Sequence, residues 1–361
     1  MTRWPSVLSL LVACCLLACA APSEPPGNTV NITPLWQYGA GDYVRGGAAI
    51  MGDSVYIGSD DNSLHAVSAT SGDGLWRFQA DDNVTSVAAV TDSALVFGSY
   101  DGAVYCLDSA GAERWRYQTG GWVTAAPVLR DEMVYVASHD GACYALALED
   151  GGLLWRYRTS GAIAGSVALD ETLLYLGSAD NYLYALHRGN GTLAWRTRTG
   201  GEILGAPASD GTTVYVGSVD RQVYAFDAAS GGRLWSSDVG SALETALELG
   251  DGALYAGTSS GSLVALRTKD GRLLWRHDAQ AAVRAGPVLW DGLVFCGSDD
   301  HTIYGLDQRN GAAIWSYSLG GPIIASLAIA DDRLYACSAD QPGWTGLPCQ
   351  LHAFALTTHQ E

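Results

Sequence analysis

Apolar and polar residues alternate with a period of two along most of the chain, in short runs separated by Gly, Asp and Ser. Residues 214–218 and 222–226 show the pattern clearly, as two runs of β-branched and aromatic residues joined by the short link 219–221. Alternating runs of this composition and length predict β-strands. The runs continue to the end of the chain, and no stretch after residue 19 has a convincing helical period. The pattern therefore predicts an all-β fold.

These runs belong to a repeat that is marked by tryptophan. Eight Trp residues follow one another at an almost constant interval: Trp36, Trp76, Trp115, Trp155, Trp195, Trp235, Trp275 and Trp315. A fixed period of roughly 20–50 residues indicates units that bury their apolar faces only against their neighbours. Four strand-like runs fit into each interval, and four-stranded units of this length are typical of β-propeller blades. We therefore expect a monomeric, eight-bladed β-propeller of four-stranded antiparallel blades.

The two chain ends together supply one blade. Within each repeat we expect a short inner strand, a Val-Tyr-Val-Gly-Ser strand, a Tyr-Ala-Leu strand and, outermost, the Trp strand. The eighth repeat stops at residues 351–356 without a Trp strand, whereas a spare Trp strand lies at residues 35–38. Because unpaired strand edges are open to association with other chains, the N-terminal strand is predicted to complete the last blade and close the ring.

Two further sets of small residues recur with the Trp residues. A Gly four positions earlier suits a tight turn with positive φ and is found at Gly72, Gly111, Gly151, Gly191, Gly231, Gly271 and Gly311. The third strand has a small residue at one fixed place, at Ala66, Cys106, Ala145, Ala185, Ala225, Ala265, Gly305 and Ala353. Because an indole packs well on a flat surface, we expect each Trp to dock on this small residue of a neighbouring blade.

An Asp recurs between the second and third strands, with Ser260 as the exception in one repeat. The set comprises Asp61, Asp101, Asp140, Asp180, Asp220, Asp300 and Asp340. A ring of metal ligands is one interpretation. The turn propensity of Asp and Gly favours the other, in which these residues form hairpin turns and bind no metal.

Residues 1–34 are predicted to lie outside the propeller. Residues 1–19 combine Arg3 with a short apolar run, as in a signal peptide, and end in Leu-Leu-Ala-Cys, which resembles a bacterial lipobox with Cys19 as the acylated residue. Cys14 fits the pattern less well, and an ordinary secretory signal is the alternative. Residues 20–34 then form a flexible tether, 35–356 the propeller and 357–361 a tail. We expect an exported, lipid-anchored protein facing the periplasm or the cell exterior, at the outer membrane in a Gram-negative host.

The net charge of the chain argues against one class of partner. The formal net charge is −18, with 38 acidic residues and Lys269 as the only lysine, so nucleic acid is not an expected partner.

An insertion at 341–348 interrupts the last repeat between Cys337 and Cys349. Because an exported protein permits disulfides, we predict a Cys337–Cys349 bridge, with two buried thiols as the alternative.

The repeat resembles the PQQ-type, or quinoprotein, propeller repeat. The match is close at residues 224–235, Tyr-Ala-Phe-Asp followed by Gly-Gly-Arg-Leu-Trp, and at residues 304–315, and it extends over residues 35–356. The resemblance implies one of two groups. One contains quinoprotein dehydrogenases, which use PQQ and calcium, and the other contains non-catalytic propellers such as the BamB-like outer-membrane assembly lipoproteins.

The dehydrogenase group has long insertions over the propeller and often adjacent cysteines beneath the cofactor. Here the connections are short, and the only Cys-Cys pair lies at residues 14–15. We therefore expect a non-catalytic, BamB-like scaffold with no catalytic residues, metal or cofactor, and a protein or peptide partner, with the outer-membrane assembly machinery as the candidate. The alternatives are a PQQ- and calcium-dependent dehydrogenase and a propeller that senses a small ligand.

Propellers bind partners at the mouth of the central channel, so departures from the repeat there are candidate contacts. One position near the start of each inner strand is occupied by Arg45, Thr85, Thr124, Ala164, Leu204, Glu244, Arg284 and Ile324. Packing favours small and β-branched residues at this position, which leaves Arg45, Glu244 and Arg284, and nearby Trp122 and Glu202, without a packing role. We expect these five residues to contact a ligand or peptide. The alternatives are ion pairs across the channel or solvated side chains at its rim, and exposed strand edges could also add a peptide strand.

Overall fold

The computed structural model describes residues 29–339 and 349–359. The predicted signal peptide with Cys19, residues 20–28 of the predicted tether, Asp340, the insertion at 341–348 and residues 360–361 lie outside this range. None of the described residues forms a helix that is long and apolar enough to span a membrane.

The described residues form 32 β-strands. In chain order these are β1 Thr29–Gly39, β2 Ala49–Met51, β3 Ser54–Ser59, β4 Ser63–Ser68, β5 Gly74–Gln79, β6 Ala89–Thr91, β7 Ala94–Gly98, β8 Ala103–Leu107, β9 Glu113–Gln118, β10 Val128–Arg130, β11 Met133–Ala137, β12 Ala142–Ala147, β13 Leu153–Arg158, β14 Ala168–Leu169, β15 Leu173–Gly177, β16 Tyr182–His187, β17 Leu193–Arg198, β18 Ala208–Ser209, β19 Thr213–Gly217, β20 Gln222–Asp227, β21 Arg233–Asp238, β22 Glu248–Leu249, β23 Ala253–Gly257, β24 Ser262–Arg267, β25 Leu273–Asp278, β26 Val288–Trp290, β27 Leu293–Gly297, β28 Thr302–Asp307, β29 Ala313–Ser318, β30 Ala328–Ala330, β31 Arg333–Ser338 and β32 Gln350–His359.

The strands form eight antiparallel sheets of four strands each, which confirms the predicted propeller. Blades 1 to 7 contain β2–β5, β6–β9, β10–β13, β14–β17, β18–β21, β22–β25 and β26–β29. In each of them the short strand is innermost and the Trp strand is outermost, as expected. The second and third strands are almost fully buried, whereas the outer strands are mostly exposed. The core therefore lies between the blades.

Blade 8 is closed by the N-terminal strand, as predicted. Its strand order is β30, β31, β32 and β1, and the β1 ladder runs from Thr29 opposite His359 to Gly39 opposite Gln350. Both strands extend further than expected, so the predicted boundaries at 35 and 356 are corrected to 29 and 359. The extension has a packing reason, because Ile32 and Leu356 are buried in one cluster with Trp315. Among the eight repeat Trp residues, Trp315 is the one that is not followed by a repeat with a Gly turn.

Each of the other seven Trp rings packs against the Gly turn of the following blade. A Cβ on Gly191, for example, would lie 2.5 Å from Cε3 of Trp155. The Trp155 indole also donates a hydrogen bond to the Arg188 carbonyl at 3.0 Å, and five further Trp residues make the equivalent hydrogen bond. The Trp residues therefore join neighbouring blades through turns.

The prediction that the small third-strand residue receives the Trp of a neighbouring blade is wrong. Ala145 lies opposite Trp155 and opposite Tyr135 in the same blade, so it does not receive a Trp from a neighbour. With a small residue between them, the rings of Tyr135 and Trp155 approach to 5.9 Å between centroids. The small residue is therefore required by the alternation of large and small side chains across one sheet.

The six recurring Asp residues that the structure describes each accept an amide hydrogen bond within their hairpin turn, as expected for turn residues. Asp180 accepts hydrogen bonds from the Tyr182 amide at 3.1 Å and from the Tyr184 hydroxyl at 2.6 Å. It also accepts the Ser160 amide at 2.9 Å, from the connection that leads into its own blade. The equivalent linker amide also donates to Asp101, Asp140 and Asp300, so these four carboxylates each fix a hairpin turn and the adjacent linker.

The predicted Cys337–Cys349 bridge stays a prediction. Both residues are buried, and Cys337 is a thiol in the structure whose pKa burial raises to about 12. Cys337 lies opposite Leu351, so Cys349 is its diagonal neighbour on the ladder. Diagonal Cα atoms are about 7–8 Å apart, slightly beyond the usual range for a disulfide of roughly 4.4–6.8 Å. A bridge therefore needs a small shift at the base of the insertion.

We expect protein isolated from its native compartment to yield a Cys337–Cys349 linked peptide in an unreduced digest, because a bridge closing so short a loop contributes about 2–3 kcal/mol. The measurement is mass mapping after alkylation under denaturing conditions. Cys143, which is fully buried in β12, serves as the internal control and should be alkylated. Alkylated Cys349 would show that the bridge does not form.

Candidate binding face at the channel mouth

One end of the propeller carries the linkers that run from each outer strand to the next inner strand. There they surround a cavity of about 290 Å³ at the channel mouth. Seven of the eight equivalent positions identified in the sequence line this cavity: Arg45, Thr85, Thr124, Ala164, Leu204, Glu244 and Arg284. The turns between second and third strands lie at the same end. We call this end the mouth face.

The two mouth arginines are each held by an aspartate of their own blade. Arg45 donates from Nε to Asp60 Oδ2 at 2.7 Å, and Arg284 donates from Nε to Asp299 Oδ2 at 2.8 Å. These hydrogen bonds raise the pKa of both guanidinium groups. Arg284 also donates from Nη1 to Glu244 of the preceding blade at 3.1 Å. Arg45, Glu244 and Arg284 therefore do form ion pairs, but with close neighbours and not across the channel.

The aspartate partners belong to a row of mouth residues that the sequence analysis missed. The row follows the Ser or Thr at the end of each second strand and consists of Asp60, Tyr100, His139, Ala179, Val219, Ser259, Asp299 and Ala339. A comparison of this position across the repeats reveals the same kind of variation as the first row. In addition, the Asp follows the Arg by the same number of residues in both ion pairs.

Aromatic side chains occupy the mouth face on blades 2 and 3. Trp122 is 53% exposed, and its ring stacks on Tyr100 with centroids 5.0 Å apart and an interplanar angle of 9°. His139 lies 5.8 Å from Trp122 and forms a hydrogen bond of 2.8 Å with the Thr124 hydroxyl. Burial lowers the pKa of His139, so the ring is neutral at pH 7. Trp122 therefore has a fixed orientation and a large exposed surface.

Trp122 and Glu202 stand outside the cavity itself. Both occupy the linker position two places before the lining residue, and Glu202 is exposed. Of the five predicted contacts, Arg45, Glu244 and Arg284 therefore line the mouth, and Trp122 and Glu202 lie on the surrounding rim. Their role as partner contacts stays a prediction.

Glu248 is a further polar residue at a position that the repeat fills with Ala or Val, and the sequence analysis missed it. It lies in β22 opposite Tyr255, at a place where the other inner strands have Ala49, Ala89, Val128, Ala168, Ala208, Val288 and Ala328. Burial raises the pKa of this carboxyl from 4.5 to about 7. The folded state thus favours the protonated form.

We expect Glu248→Val to be more stable than the natural chain at pH 8 by up to about 3 kcal/mol, because a shift of one pKa unit corresponds to about 1.4 kcal/mol. The pKa of the Glu248 carboxyl is higher in the folded state than in the unfolded state. The resulting contribution of the protonated carboxyl to the free energy of unfolding is therefore complete below pH 4.5 and is lost as pH rises through 7. The gain should therefore shrink between pH 8 and pH 5 in urea titrations. A gain independent of pH would contradict this assignment.

The described residues do not fit a calcium-bound quinone at the mouth. No group of three or more His, Cys, Asp or Glu side chains within 29–339 and 349–359 is arranged to hold a metal ion. Calcium takes about six to eight oxygen ligands, whereas Asp60 and Asp299 are on different blades and each binds an arginine. The mouth therefore presents paired charges and aromatic rings and, among these residues, no metal-ligand cluster.

Comparisons with known proteins agree with this architecture. BamB from Moraxella catarrhalis superposes with a TM-score of 0.77 at 22% identity, over 90% of this chain and 100% of that one. The computationally designed Ika8 protein gives 0.76 at 19% identity over 88% and 97% of the two chains. Quinohemoprotein alcohol dehydrogenase from Comamonas testosteroni gives 0.76 at 13% identity over 91% and 76%. No curated protein sequence matches.

These structural likenesses show the fold alone, because a dehydrogenase and a designed protein share it with BamB. The family match is more specific. The family described as outer membrane protein assembly factor BamB matches residues 60–168, 144–282 and 269–347, which overlap into one continuous stretch. That stretch covers well over half of the 361 residues. The chain therefore belongs to the family of outer membrane protein assembly factor BamB.

Proposed function

We propose that this protein is a non-catalytic scaffold that binds a protein or peptide partner through its mouth face, in the assembly of outer-membrane proteins. The observation that carries the proposal is the position of the departures from the repeat. Arg45, Trp122, Glu202, Glu244 and Arg284 all lie on one face of a closed ring, while the seams between blades keep the repeat. A rigid scaffold with one variable face suits recognition of a partner.

The chemistry of the described residues supports binding over catalysis. The mouth carboxylates of Asp60 and Asp299 form ion pairs, and the turn carboxylates bind backbone amides and tyrosines. The strand thiols are buried, and burial raises the pKa of Cys296 to about 12, so a thiolate nucleophile is not available there at pH 7. We accordingly propose that the protein uses no cofactor.

Family membership and the lipobox-like residues 16–19 support the proposed location. BamB proteins are described as outer membrane protein assembly factors. A lipid on Cys19 would place the propeller outside the cytoplasm at the outer membrane, with the partner in the same compartment. We propose this anchored, monomeric state together with the scaffold function.

The decisive experiment is crosslinking of the full chain in native membranes, followed by pull-down and identification by mass spectrometry. We expect an outer-membrane assembly protein to be recovered, and recovery to fall at least tenfold for Trp122→Ala. Leu234→Ala is the matched control, because Leu234 is 56% exposed but lies on the outer strand of blade 5. Equal recovery with both variants would contradict docking at the mouth face.

A second measurement tests the competing enzyme class. Purified protein is supplied with PQQ and Ca²⁺ and assayed for dye-linked oxidation of alcohols and aldoses. We expect no turnover above background. Turnover that a chelator abolishes would overturn the scaffold proposal and establish a quinoprotein dehydrogenase.

A further inference from the structure

The mouth face is strongly asymmetric around the ring. In blades 1 to 3 the second mouth row and the rim position include the acidic residue Asp60 and the aromatic residues Tyr43, Tyr100, Trp122 and His139, whereas blade 4 has only Ala162, Ala164 and Ala179 at the three equivalent places. Because the Ala residues of blade 4 satisfy the packing of the same linkers, packing does not require the larger side chains of blades 1 to 3. We call Tyr43, Asp60, Tyr100 and Trp122, together with the exposed Asp82 next to the rim position of blade 2, the acidic-aromatic sector.

Arg45 shows how this sector holds a guanidinium group. The group lies 5.2 Å from the centroid of the Tyr43 ring, and its Nε donates to Asp60. Asp60 is thus one side of an arrangement in which an aromatic face and a carboxylate bind the same cation. Arg45 uses only part of this capacity.

Two polar atoms near Arg45 lack a hydrogen-bond partner. Among the described residues, Asp60 Oδ1 and Thr85 Oγ1 have no hydrogen-bond partner. The Asp60 side chain is only 8% exposed, and Thr85 is 7% exposed and lines the mouth cavity. Buried polar atoms are nearly always satisfied. Asp60 Oδ1 therefore lacks a donor, and the Thr85 hydroxyl, which both donates and accepts, lacks a partner at the cavity.

The balance of charge in the sector favours a cation over an anion. The negative charges of Asp42 and Asp82 repel that of Asp60, and the Arg45 guanidinium group is the cation that binds Asp60. The whole chain carries −18, which attracts basic partners over a distance. Trp122 adds an exposed ring whose orientation is fixed by the stack on Tyr100. Trp has the ring that binds cations best.

We propose that the acidic-aromatic sector binds a Lys or Arg side chain of an extended partner segment, with the cation between Trp122 and the carboxylates of Asp60 and Asp82. This proposal rests on the proposed function, because it names the chemistry of the partner at the same face. One N–H group of the incoming side chain donates to Asp60 Oδ1, and another donates to the Thr85 hydroxyl oxygen. The apolar positions of blade 4, Ala162, Ala164 and Ala179, then leave space for the remainder of the segment.

The test uses the full chain and short fluorescein-labelled peptides of equal length, built from Gly and Ser with three Arg, three Lys, three citrulline or three Glu. Citrulline has the shape of Arg without its charge. In anisotropy titrations we expect the Arg and Lys peptides to bind at least tenfold more tightly than the citrulline and Glu peptides. Trp122→Ala and Asp82→Asn should each weaken the Arg peptide at least fivefold.

Asp251→Asn is the matched control for charge, because Asp251 is exposed in a turn at the opposite end of the propeller. It should change the affinity less than twofold. Equal weakening by Asp82→Asn and Asp251→Asn would reveal attraction to the acidic surface in general and overturn the proposal. Equal binding of the Arg and citrulline peptides, or tighter binding of the Glu peptide, would overturn it as well. If either result accompanies a loss of the membrane partner in Trp122→Ala, the scaffold function stands and only the cation chemistry fails.

Discussion

Deletion of residues 29–39 is expected to destabilise the propeller more than any single substitution. The deletion removes all of β1, exposes the edge of β32 and takes away Trp36, which donates to the Ala69 carbonyl of blade 1 at 2.9 Å. Trp36 is partly buried, and loss of its ring alone costs up to about 3–5 kcal/mol, against a typical folding free energy of roughly 5–15 kcal/mol. Thermal unfolding followed by circular dichroism measures the effect.

Two shorter deletions separate the contributions. Deletion of residues 20–27 removes chain before β1 and should leave the melting temperature unchanged. Deletion of residues 29–33 retains Trp36 but removes Ile32, which packs in one cluster with Trp315. It should therefore lower the melting temperature by an intermediate amount. A melting temperature that is unaffected by loss of 29–39 would show that β1 does not close the ring in solution.

The closing strand also shows how far a repeat pattern predicts structure. The place of Trp36 was predictable, because seven complete repeats define where an eighth outer strand must lie. The extension at residues 29–34 was not, because it has no counterpart in the other blades. It compensates for a covalent turn that blade 8 lacks, and such a compensation becomes visible only when the ends of β1 and β32 are brought together.

Periodicity also left the partner of each residue undetermined. A small residue such as Ala145 recurs at a similar sequence separation before each Trp, here Trp155. This spacing alone does not distinguish a contact within one sheet from a contact between blades. The antiparallel register decides it, since the pairing of β12 with β13 puts Ala145 opposite Trp155. The neighbouring-blade contact falls instead to Gly191, where positive φ and a close indole coincide.

The mouth face was predictable in part for a related reason. Arg45 and Arg284 stand out in a position that the repeat fills with small or apolar residues, so the sequence indicates that they are special. Their partners Asp60 and Asp299 follow later in the chain, in a different row of the repeat. Only the fold brings a linker and a turn together, and the burial of Asp60 beneath Arg45 depends on that approach.

Substitution of Gly191 by Ala is expected to cost about 2–5 kcal/mol, because two effects combine at this turn. Its φ is +69°, in the left-handed region that costs a residue with a Cβ roughly 1–2 kcal/mol. The added Cβ would also lie 2.5 Å from Cε3 of Trp155, and relief of such overpacking costs roughly 1–3 kcal/mol. Urea denaturation followed by fluorescence gives the free energy of unfolding.

Gly211 provides the matched control, because its φ is +86° but no heavy atom lies within 4 Å of an added Cβ. Gly211→Ala should therefore show only the cost of the backbone conformation. In a Trp155→Ala background, Gly191→Ala should fall to the same cost as Gly211→Ala, since the ring that it strikes is gone. A double-mutant cycle measures this coupling directly. If Gly191→Ala costs the same with and without Trp155, the indole does not dock on this turn, and the joints between blades must lie elsewhere.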